Sequence, residues 1–363
     1  MSDPVEAARK LVPLLREHAA ETDRTAAMPE TVVNELRNAG LLSLGAPAAV
    51  GGPEADLPTA FEVYRNLARG CGSSAWVAMV LSTSAQVAAA LGDEGRQELW
   101  GTDAFAGVCS SLVPVGGKAR ESAAGVHVTG RWLPLSGVHQ SRWAVVAAVR
   151  EQAEPVLAVV PVAAGTVERT WAMSGMRATR SDTLVLDDVF VPRRRVLPIR
   201  TLVTGSRPFM PGALVALAAP LLGMAEFAVE QATEWLRGQR AGGGSSRAAS
   251  PAVLHTLTTA AARVDVAHVV LSSLLTDTER INATGEPASD VFRGRIRMLV
   301  ARAVADLREA VHGSLTVLGG DGLVISHPAE RVWRDMETAC THAMVSMERA
   351  LDEYGPLLLS EQA

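Results

Sequence analysis

A histidine near the end of the chain has the chemistry needed to handle protons. His342 lies in the segment THAMVSM, seven residues after the aspartate of the pair Arg334-Asp335, and no carboxylate occurs between Glu337 and Glu348. An imidazole with its ordinary pKa of ~6.5 can exchange a proton with a substrate at neutral pH. His342 is therefore a candidate catalytic residue, and the alternative is a histidine that only packs inside a helical domain.

Serine hydroxyls occur in two short segments where they could meet a ligand. Ser136-Gly137 follows Trp132 in GRWLPLSG, and Ser110 and Ser111 follow a cysteine in CSS. A hydroxyl can donate and accept a hydrogen bond, and a neighbouring glycine lets the backbone approach a bound group closely. The structural alternative for each serine is a turn residue or a residue packed in the core.

Three regions of different pattern must position these side chains. Residues 1–104 carry apolar positions at helical spacing, residues 105–203 carry short apolar runs typical of strands, and residues 204–363 return to helical spacing. In 252–275 the apolar positions step by three and four, which is typical of a bundle seam. The Gly/Ser-rich stretch 241–250 predicts a loop between bundle helices. The predicted order is helices, then a small barrel or sandwich, then helices.

Composition and charge exclude several classes of protein. The chain has 363 residues, of which 48% are hydrophobic and 20% charged, as expected of a packed globular protein. A net charge of −5 disfavours a nucleic-acid binder. Three cysteines without a CxxC pair, and no HExxH motif, indicate neither a disulfide framework nor a metal site. No apolar leader is present, and the longest apolar stretches, such as 143–149, are too short to span a membrane, so we expect a cytoplasmic protein.

Five segments occur in a recognisable order along nearly the whole chain. They are LRNAGLLSLGAP (36–47), LARGCGSSAW (67–76), GRWLPLSG (130–137), WAMSGMRATRSDTLVLDDVFVP (171–192) and HPAERVWRDMETACTH (327–342). Together they resemble the acyl-CoA dehydrogenase fold and, within it, the group D two-component flavin-dependent monooxygenases. The resemblance implies an α+β protein with an N-terminal helical domain (1–104), a central β-barrel (105–203) and a C-terminal four-helix bundle (204–363). It also implies a homotetramer built through the bundle, with a flavin between barrel and bundle that a neighbouring subunit partly covers.

This resemblance implies the oxygenase component of a two-component monooxygenase. Reduced FMN or FAD would arrive by diffusion from a separate NAD(P)H-dependent flavin reductase, and O2 would add at the flavin C4a to give a (hydro)peroxyflavin. That species would hydroxylate a phenol or polyketide-like ring, or oxidise an amine, in secondary metabolite biosynthesis. Ser136 would support the flavin adduct through N5, and His342 would orient the substrate or shuttle a proton.

The resemblance assigns binding roles to further residues. Those expected at the flavin are Ser110, Ser111, Trp132, Ser136, Gly137, Trp171, Thr179, Ser181 and, from a neighbouring subunit, Gly320. Those expected at the substrate are Ser74, Trp76 and His139. The segment GMRATRSDT departs from the family, because Ala178 and Arg180 stand where glycines are expected. Arg331, Arg334 and Asp335 are expected to form a structural ion pair on the bundle.

Two alternative functions stay open at this point. The first is an acyl-CoA or acyl-carrier-protein dehydrogenase, which needs a carboxylate base. In common members of that group the base is a glutamate eight residues after the aspartate of the Arg-Asp pair, where this chain has Ala343. A dehydrogenase would therefore need its base on another element. The second alternative is a catalytically inactive relative that acts as a binding protein, which the altered GMRATRSDT segment suggests.

Overall fold

The computed structural model describes residues 3–203, 209–241, 250–285 and 287–359. Its elements follow the predicted order of helices, strands and helices, and we number them α1–α10 and β1–β8 along the chain. Of the predicted loop 241–250, residues 242–249 lie outside the described residues.

Five helices form the N-terminal part. They are α1 (Pro4–Thr25), α2 (Glu30–Asn38), α3 (Leu57–Ala68), α4 (Gly72–Ala88) and α5 (Asp93–Trp100). Asp3 and Asp56 cap α1 and α3, because each side chain accepts a backbone N–H of the first turn. α4 is buried on nearly every side, since it is packed between neighbouring helices and the sheet. It is the central helix of this part.

Eight strands form one sheet. They are β1 (Val108–Ser111), β2 (Gly117–Ser122), β3 (Gly125–Trp132), β4 (Trp143–Arg150), β5 (Ala153–Pro161), β6 (Thr166–Glu168), β7 (Thr183–Pro192) and β8 (Val196–Pro198). The order across the sheet is β6-β7-β3-β2-β4-β5-β8, and β1 pairs in parallel with β4. Among the described strands β6 pairs only with β7 and β8 only with β5, so the sheet is open. This corrects the prediction of a closed barrel, because the two edges must hydrogen-bond to each other to close one.

The middle of the sheet is buried on both faces. In β4, Ala144 and Val146 belong to the larger core, which includes side chains of α3 and α4. Val145 and Ala147 belong to a second core, which includes side chains of α5. Alternate side chains of a strand point to opposite faces, so β4 lies between two apolar layers. The strands behind the site are therefore rigidly packed.

Five further helices form the C-terminal part. They are α6 (Phe209–Ala241), α7 (Pro251–Thr284), α8 (Asp290–Leu318), α9 (Pro328–Ala339) and α10 (Met347–Leu357). The three long helices pack on one another, α9 packs against α6 and α8, and α10 is a further short helix on α8. α6 also packs against α3 and α4, so the helices that precede the strands in sequence and those that follow them form one packed unit.

One of these helices corrects an expectation from the sequence. Within α6, Phe209–Gln239 spans 31 residues and is long and apolar enough to cross a membrane, whereas no stretch was expected to be. The most apolar window of this helix is 78% buried inside the protein. A helix that is apolar on all sides and enclosed by other helices is typical of the core of a large globular protein.

Candidate active site

A series of side-chain hydrogen bonds, which we call the hydroxyl chain, runs from Trp76 of α4 through Ser136, Ser181 and Thr179 and joins the helix to two loops. Trp76 Nε1 donates to Ser136 Oγ at 3.3 Å, and Ser136 Oγ lies 2.7 Å from Ser181 Oγ. Ser181 Oγ lies 2.8 Å from Thr179 Oγ1, which donates to the Met176 carbonyl at 2.8 Å. Because the single hydroxyl hydrogen of Thr179 is committed to Met176, Ser181 must donate to Thr179. Ser136 in turn donates to Ser181, and its oxygen keeps one lone pair after accepting from Trp76.

The backbone beside Ser136 is held close to α4. Gly137 has a φ of +74°, and a Cβ at this position would lie 3.1 Å from Leu81 Cδ2. Its N–H donates to the Thr179 carbonyl at 3.1 Å. A glycine is therefore required where the loop turns between α4 and the segment that carries Thr179. This turn fixes the direction of the Ser136 hydroxyl.

His342 reaches the same tryptophan from the C-terminal part. The ring centroids of His342 and Trp76 are 5.7 Å apart in an edge-to-face arrangement. The N–H of Met344 donates to His342 Nδ1 at 3.3 Å, which places the ring hydrogen of the neutral form on Nε2. Burial lowers the pKa of His342 to about 4, so the ring is neutral at pH 7. It therefore offers an N–H donor and no positive charge.

His139 belongs to a second hydrogen-bonded group. Asp182 Oδ2 is bonded to His139 Nε2 at 2.8 Å. Asp182 Oδ1 accepts from the backbone N–H groups of Thr170 and Trp171 at 2.9 and 3.0 Å. Burial by itself would raise the pKa of Asp182, but the hydrogen bonds from these three residues outweigh it and hold the pKa below its usual value. This carboxylate ties the segment before Ser181 to the turn that follows Gly137.

The cavity beside His139 is separate from the hydroxyl chain. It has a volume of about 420 Å³, lies against α2 and the turn Val138–Gln140, and is lined partly by Leu81 and Phe105. No residue of the hydroxyl chain lines it. The structure thus places His139 beside a cavity that neither Trp76 nor His342 lines, and its substrate role stays a prediction.

Asp335 is a buried carboxylate whose partners differ from those expected. Arg334 pairs with Asp23 at 2.7 Å and with Glu330 at 2.6 Å, and not with Asp335. Asp335 Oδ1 accepts the N–H of Met176 instead. Consecutive residues on a helix point in different directions, which is why the expected pair does not form. Burial raises the pKa of Asp335 to about 6.

Three predicted flavin contacts lie in strands of the sheet. Ser110 accepts a hydrogen bond from Ser84 of α4 at 2.7 Å, and Ser111 is the next residue of the same strand. Trp132 is fully buried and its Nε1 donates to the Ala147 carbonyl at 2.8 Å. The ring is enclosed in the core and its only N–H is used there, and a contact of Trp132 with the flavin stays a prediction.

The remaining predicted residues are spread over the molecule. Ser74 is fully buried in α4, and its substrate role stays a prediction. Trp171 Nε1 donates at 3.0 Å to the carbonyl of Met176, which also ends the hydroxyl chain. Gly320 lies exposed in the turn Gly319–Leu323 after α8, and its contact to a neighbouring subunit stays a prediction.

The residues around Trp76 fit the edge of a flavin ring. A reduced flavin carries an N–H at N5 and carbonyl oxygens on the same side of the ring system. Ser136 Oγ has a lone pair for the N–H, and His342 Nε2 has a hydrogen for an oxygen. Gly137 has no side chain to come between them. This donor and acceptor set is what the chain offers to a bound cofactor and substrate.

Family models match both helical parts of the chain. The model described as acyl-CoA dehydrogenase, N-terminal domain, matches residues 6–107. The model described as acyl-CoA dehydrogenase, C-terminal domain, matches residues 215–347. One match precedes the strands in sequence and the other follows them, in the order that the sequence motifs indicate.

Relatives with named activities and a solved structure resemble the whole chain. The FADH(2)-dependent resorcinol hydroxylase, oxygenase component, of Rhizobium sp. (strain MTP-10005) is 29% identical over 95% of this chain and 91% of that protein. The flavin-dependent monooxygenase, oxygenase subunit HsaA, of Rhodococcus jostii (strain RHA1) is 28% identical over 95% of each. The structure of XiaF from Streptomyces sp. in complex with FADH2 and glycerol has a TM-score of 0.92 and 26% identity, over 98% of this chain and 95% of that one. The chain therefore belongs to the acyl-CoA dehydrogenase superfamily, among the oxygenase components of two-component flavin-dependent monooxygenases.

Proposed function

We propose that this oxygenase component hydroxylates a phenolic ring with reduced FMN or FAD and O2, in the cytoplasm, with the flavin reduced by a separate NAD(P)H-dependent reductase. The names of the two relatives, a resorcinol hydroxylase and an HsaA subunit, support a hydroxylase and a separate reductase. The reduced flavin, when bound, supplies the activation of O2. The chain's own residues supply binding, orientation and the exclusion of water.

The lone pair that Ser136 keeps is the observation that carries this proposal. Its hydroxyl hydrogen is donated to Ser181, so its oxygen can act only as an acceptor, through the remaining lone pair, towards any further group. An acceptor suits the N–H of a reduced flavin, whereas the bare N5 of an oxidised flavin would need a donor. Ser136 would thus prefer the reduced cofactor and hold the hydrogen at N5. Thr179 and Ser181 act through Ser136 and not on the flavin phosphate.

His342 is the second part of the proposed mechanism. Its neutral ring presents Nε2–H beside the Trp76 ring, and a phenol oxygen can accept from that N–H. A phenol also has an aromatic face that packs favourably near the Trp76 ring. His342 would therefore orient the ring and hold a hydrogen bond to its oxygen during hydroxylation. A substrate without such an oxygen would lose this anchor.

Packing around Ser136 keeps water out. Trp76 is only 6% exposed, and Ser181 and Thr179 are buried. Gly137 brings the loop into contact with Leu81, so no gap opens between the loop and α4. Activated oxygen on a flavin is lost as hydrogen peroxide when water reaches it, so a dry environment favours transfer to the substrate.

The distal part of the flavin would meet a neighbouring subunit near Gly320. Three residues after this glycine begins an apolar run, in which Leu323, Val324 and Ile325 are 60%, 53% and 84% exposed. Three consecutive exposed apolar side chains support a contact with another chain. We therefore place an interface of the proposed homotetramer at the turn Gly319–Leu323.

Flavin reoxidation is the direct test. Flavin-free protein loaded with reduced FMN or FAD is mixed rapidly with oxygenated buffer, with and without a phenol such as resorcinol, while the flavin absorbance is followed. We expect the return of oxidised flavin to be delayed relative to the same flavin in buffer, and a hydroxylated product to appear. Reoxidation at the rate of free flavin, with no product from any phenol, would contradict the proposal.

Two other outcomes would favour the alternatives. A protein that purifies with tightly held oxidised FAD and bleaches with an acyl thioester would be a dehydrogenase. The structure argues against this, because Ala343 holds the position of the usual base and Asp335 is hydrogen-bonded to Met176. A protein that binds neither reduced nor oxidised flavin would be an inactive relative.

A further inference from the structure

Three segments supply the side chains of the candidate site. One buried residue contacts two of them and belongs to the helix that precedes the third. α4 carries Trp76, the loop before β7 carries Ser181, and His342 follows the end of α9. Asp335 of α9 lies between these segments and is 4% exposed. It precedes His342 by seven residues along the chain. A carboxylate in this place can act on all three segments at once.

One oxygen of the carboxylate holds the loop. Asp335 Oδ1 accepts the N–H of Met176, whose φ is +50°. The neighbouring Gly175 donates its N–H to Thr338 Oγ1 at 3.2 Å. A Cβ on Gly175 would collide with the Arg334 carbonyl, so the loop lies directly on the backbone of α9. Ser181 follows five residues after Met176 and takes its position from this contact.

The other oxygen faces the start of α4. Asp335 Oδ2 lies 3.3 Å from the position that a Cβ on Gly72 would occupy. Gly72 is the first residue of α4, and the preceding Cys71 gives the helix no side-chain cap. The first N–H groups of a helix lack partners within it and favour a nearby negative charge. Trp76 follows one helical turn later, so the carboxylate lies beside the end of α4 from which Trp76 projects.

Arg331 and Arg334 attract the charge of Asp335 from a distance, but neither is an ion-pair partner of it. Among the described residues Asp335 forms no ion pair, and the guanidinium of Arg334 is bonded to Asp23 and Glu330 instead. A buried carboxylate costs free energy unless hydrogen bonds compensate it. The compensating hydrogen bond comes from the backbone of the loop, through the Met176 N–H, and the start of α4 lies beside the other oxygen. The cost of burial is thus coupled to the relative position of these two elements.

We propose that Asp335 is a positioning residue whose two oxygens hold α4 and the loop in register with α9, and so set the three parts of the site relative to one another. The consequence for catalysis rests on the proposed function. The consequence for structure does not, because it concerns the flavin-free protein. The two can therefore fail separately.

Hydrogen exchange of the flavin-free protein tests the structural part. Exchange is measured in the segments 72–76, 174–181 and 340–345 for wild type, Asp335→Ala and Asp335→Asn. Asparagine keeps an acceptor for Met176 but presents an amide N–H₂ to the start of α4. We expect Asp335→Ala to exchange faster in all three segments, and Asp335→Asn to do so mainly in 72–76.

Thr338→Val is the matched control. It removes a hydrogen bond to the same loop from the same helix, at Gly175, but does not reach α4. We expect faster exchange in 174–181 alone. Equal exchange of Asp335→Ala and wild type would overturn the proposal, and so would a control that loosens all three segments as much as Asp335→Ala does. If the alanine variant does not fold, the asparagine variant must loosen 72–76 selectively, and failure to do so overturns the proposal.

The catalytic part is read from products. Hydrogen peroxide and hydroxylated phenol are measured per reduced flavin consumed, together with the affinity for reduced flavin. We expect Asp335→Asn to release severalfold more peroxide with little change in flavin affinity, because the contacts are misaligned and not removed. Wild-type coupling in a variant whose exchange has changed would overturn the catalytic consequence. Absence of product in wild type would instead contradict the proposed function and leave the exchange result intact.

Discussion

At the scale of single residues, the oxygen of Ser136 is the atom to which the proposed function assigns the most specific role, as the acceptor for the N–H of a reduced flavin. We expect Ser136→Ala to bind reduced flavin but to release roughly fivefold more hydrogen peroxide per flavin, since a hydrogen bond contributes about 1 kcal/mol. The matched control is Ser141→Ala. The Ser141 hydroxyl donates at 2.8 Å to the Gly137 carbonyl in the same loop, but it takes no part in the hydrogen-bonded series that links Ser136 to Ser181. Peroxide and product assays decide it: equal peroxide yields in Ser136→Ala and wild type would remove Ser136 from the mechanism.

The neutral state of His342 makes a prediction about acid stability. Its pKa is about 4 in the folded protein, against ~6.5 for an unperturbed histidine, so the unfolded chain binds more protons between these values. The stability that His342 contributes is complete above pH ~6.5 and is lost as the pH falls towards 4. We expect His342→Gln to lose less unfolding free energy than wild type between about pH 7 and about pH 4.5 in urea titrations.

A second titrating group changes in the opposite sense over this range. Asp335, with a pKa raised to about 6, favours folding as it takes up a proton on acidification. It is present in both proteins, so the difference between His342→Gln and wild type isolates the histidine. An identical pH dependence of the two proteins would show that His342 is solvated and not buried against Trp76.

Candidate residues could be named from the sequence where a motif carries them, and their roles stay predictions. Ser136 and His342 follow from short segments whose chemistry is legible in the sequence. The link between them through Trp76 is not, because the three residues lie in segments far apart along the chain. A tryptophan at the end of a strand, such as Trp132, could be a core residue or a ligand contact, and the sequence does not show that it is fully buried.

At the scale of elements, the turn at Gly137 is the strained point of the site. Alanine there would have a φ of +74° and a Cβ 3.1 Å from Leu81, so we expect Gly137→Ala to cost about 1 kcal/mol or more of unfolding free energy. Gly92→Ala is the control, because Gly92 has a φ of −63° and open space around its Cβ position. Denaturant melts should separate the two, and equal stability of both variants would show that the loop relaxes freely.

The strands were easier to predict than whether the sheet that they form closes into a barrel. The apolar alternation that predicts strands in 105–203 reports which residues face a core, and the strands are present. It does not report whether the two edge strands meet. β6 and β8 have three residues each and pair on one side only among the described strands, so the sheet stays open. The ion pair expected of Arg334 and Asp335 failed for a similar reason, since adjacency in sequence is not adjacency across a helix.

At the scale of the whole molecule, the exposed apolar turn after Gly320 predicts assembly. Ile325 is 84% exposed, and a charge there would be buried against the neighbouring chain if the turn is an interface. We expect Ile325→Asp to shift the protein towards smaller species in native mass spectrometry. Val115→Asp, at a residue that is 78% exposed in the loop between β1 and β2, should leave the assembly unchanged. If Ile325→Asp keeps the wild-type mass, the interface lies elsewhere.

The packing of α6 against α3 and α4 has a consequence for how the chain is made. The sheet, residues 108–198, is synthesised between two groups of helices that share one core. Helices emerging first from the ribosome cannot complete that core until α6 follows, and many contacts therefore span long stretches of sequence. We expect folding to finish late in synthesis, with the apolar face of α4 awaiting its partner and most in need of chaperones during that interval.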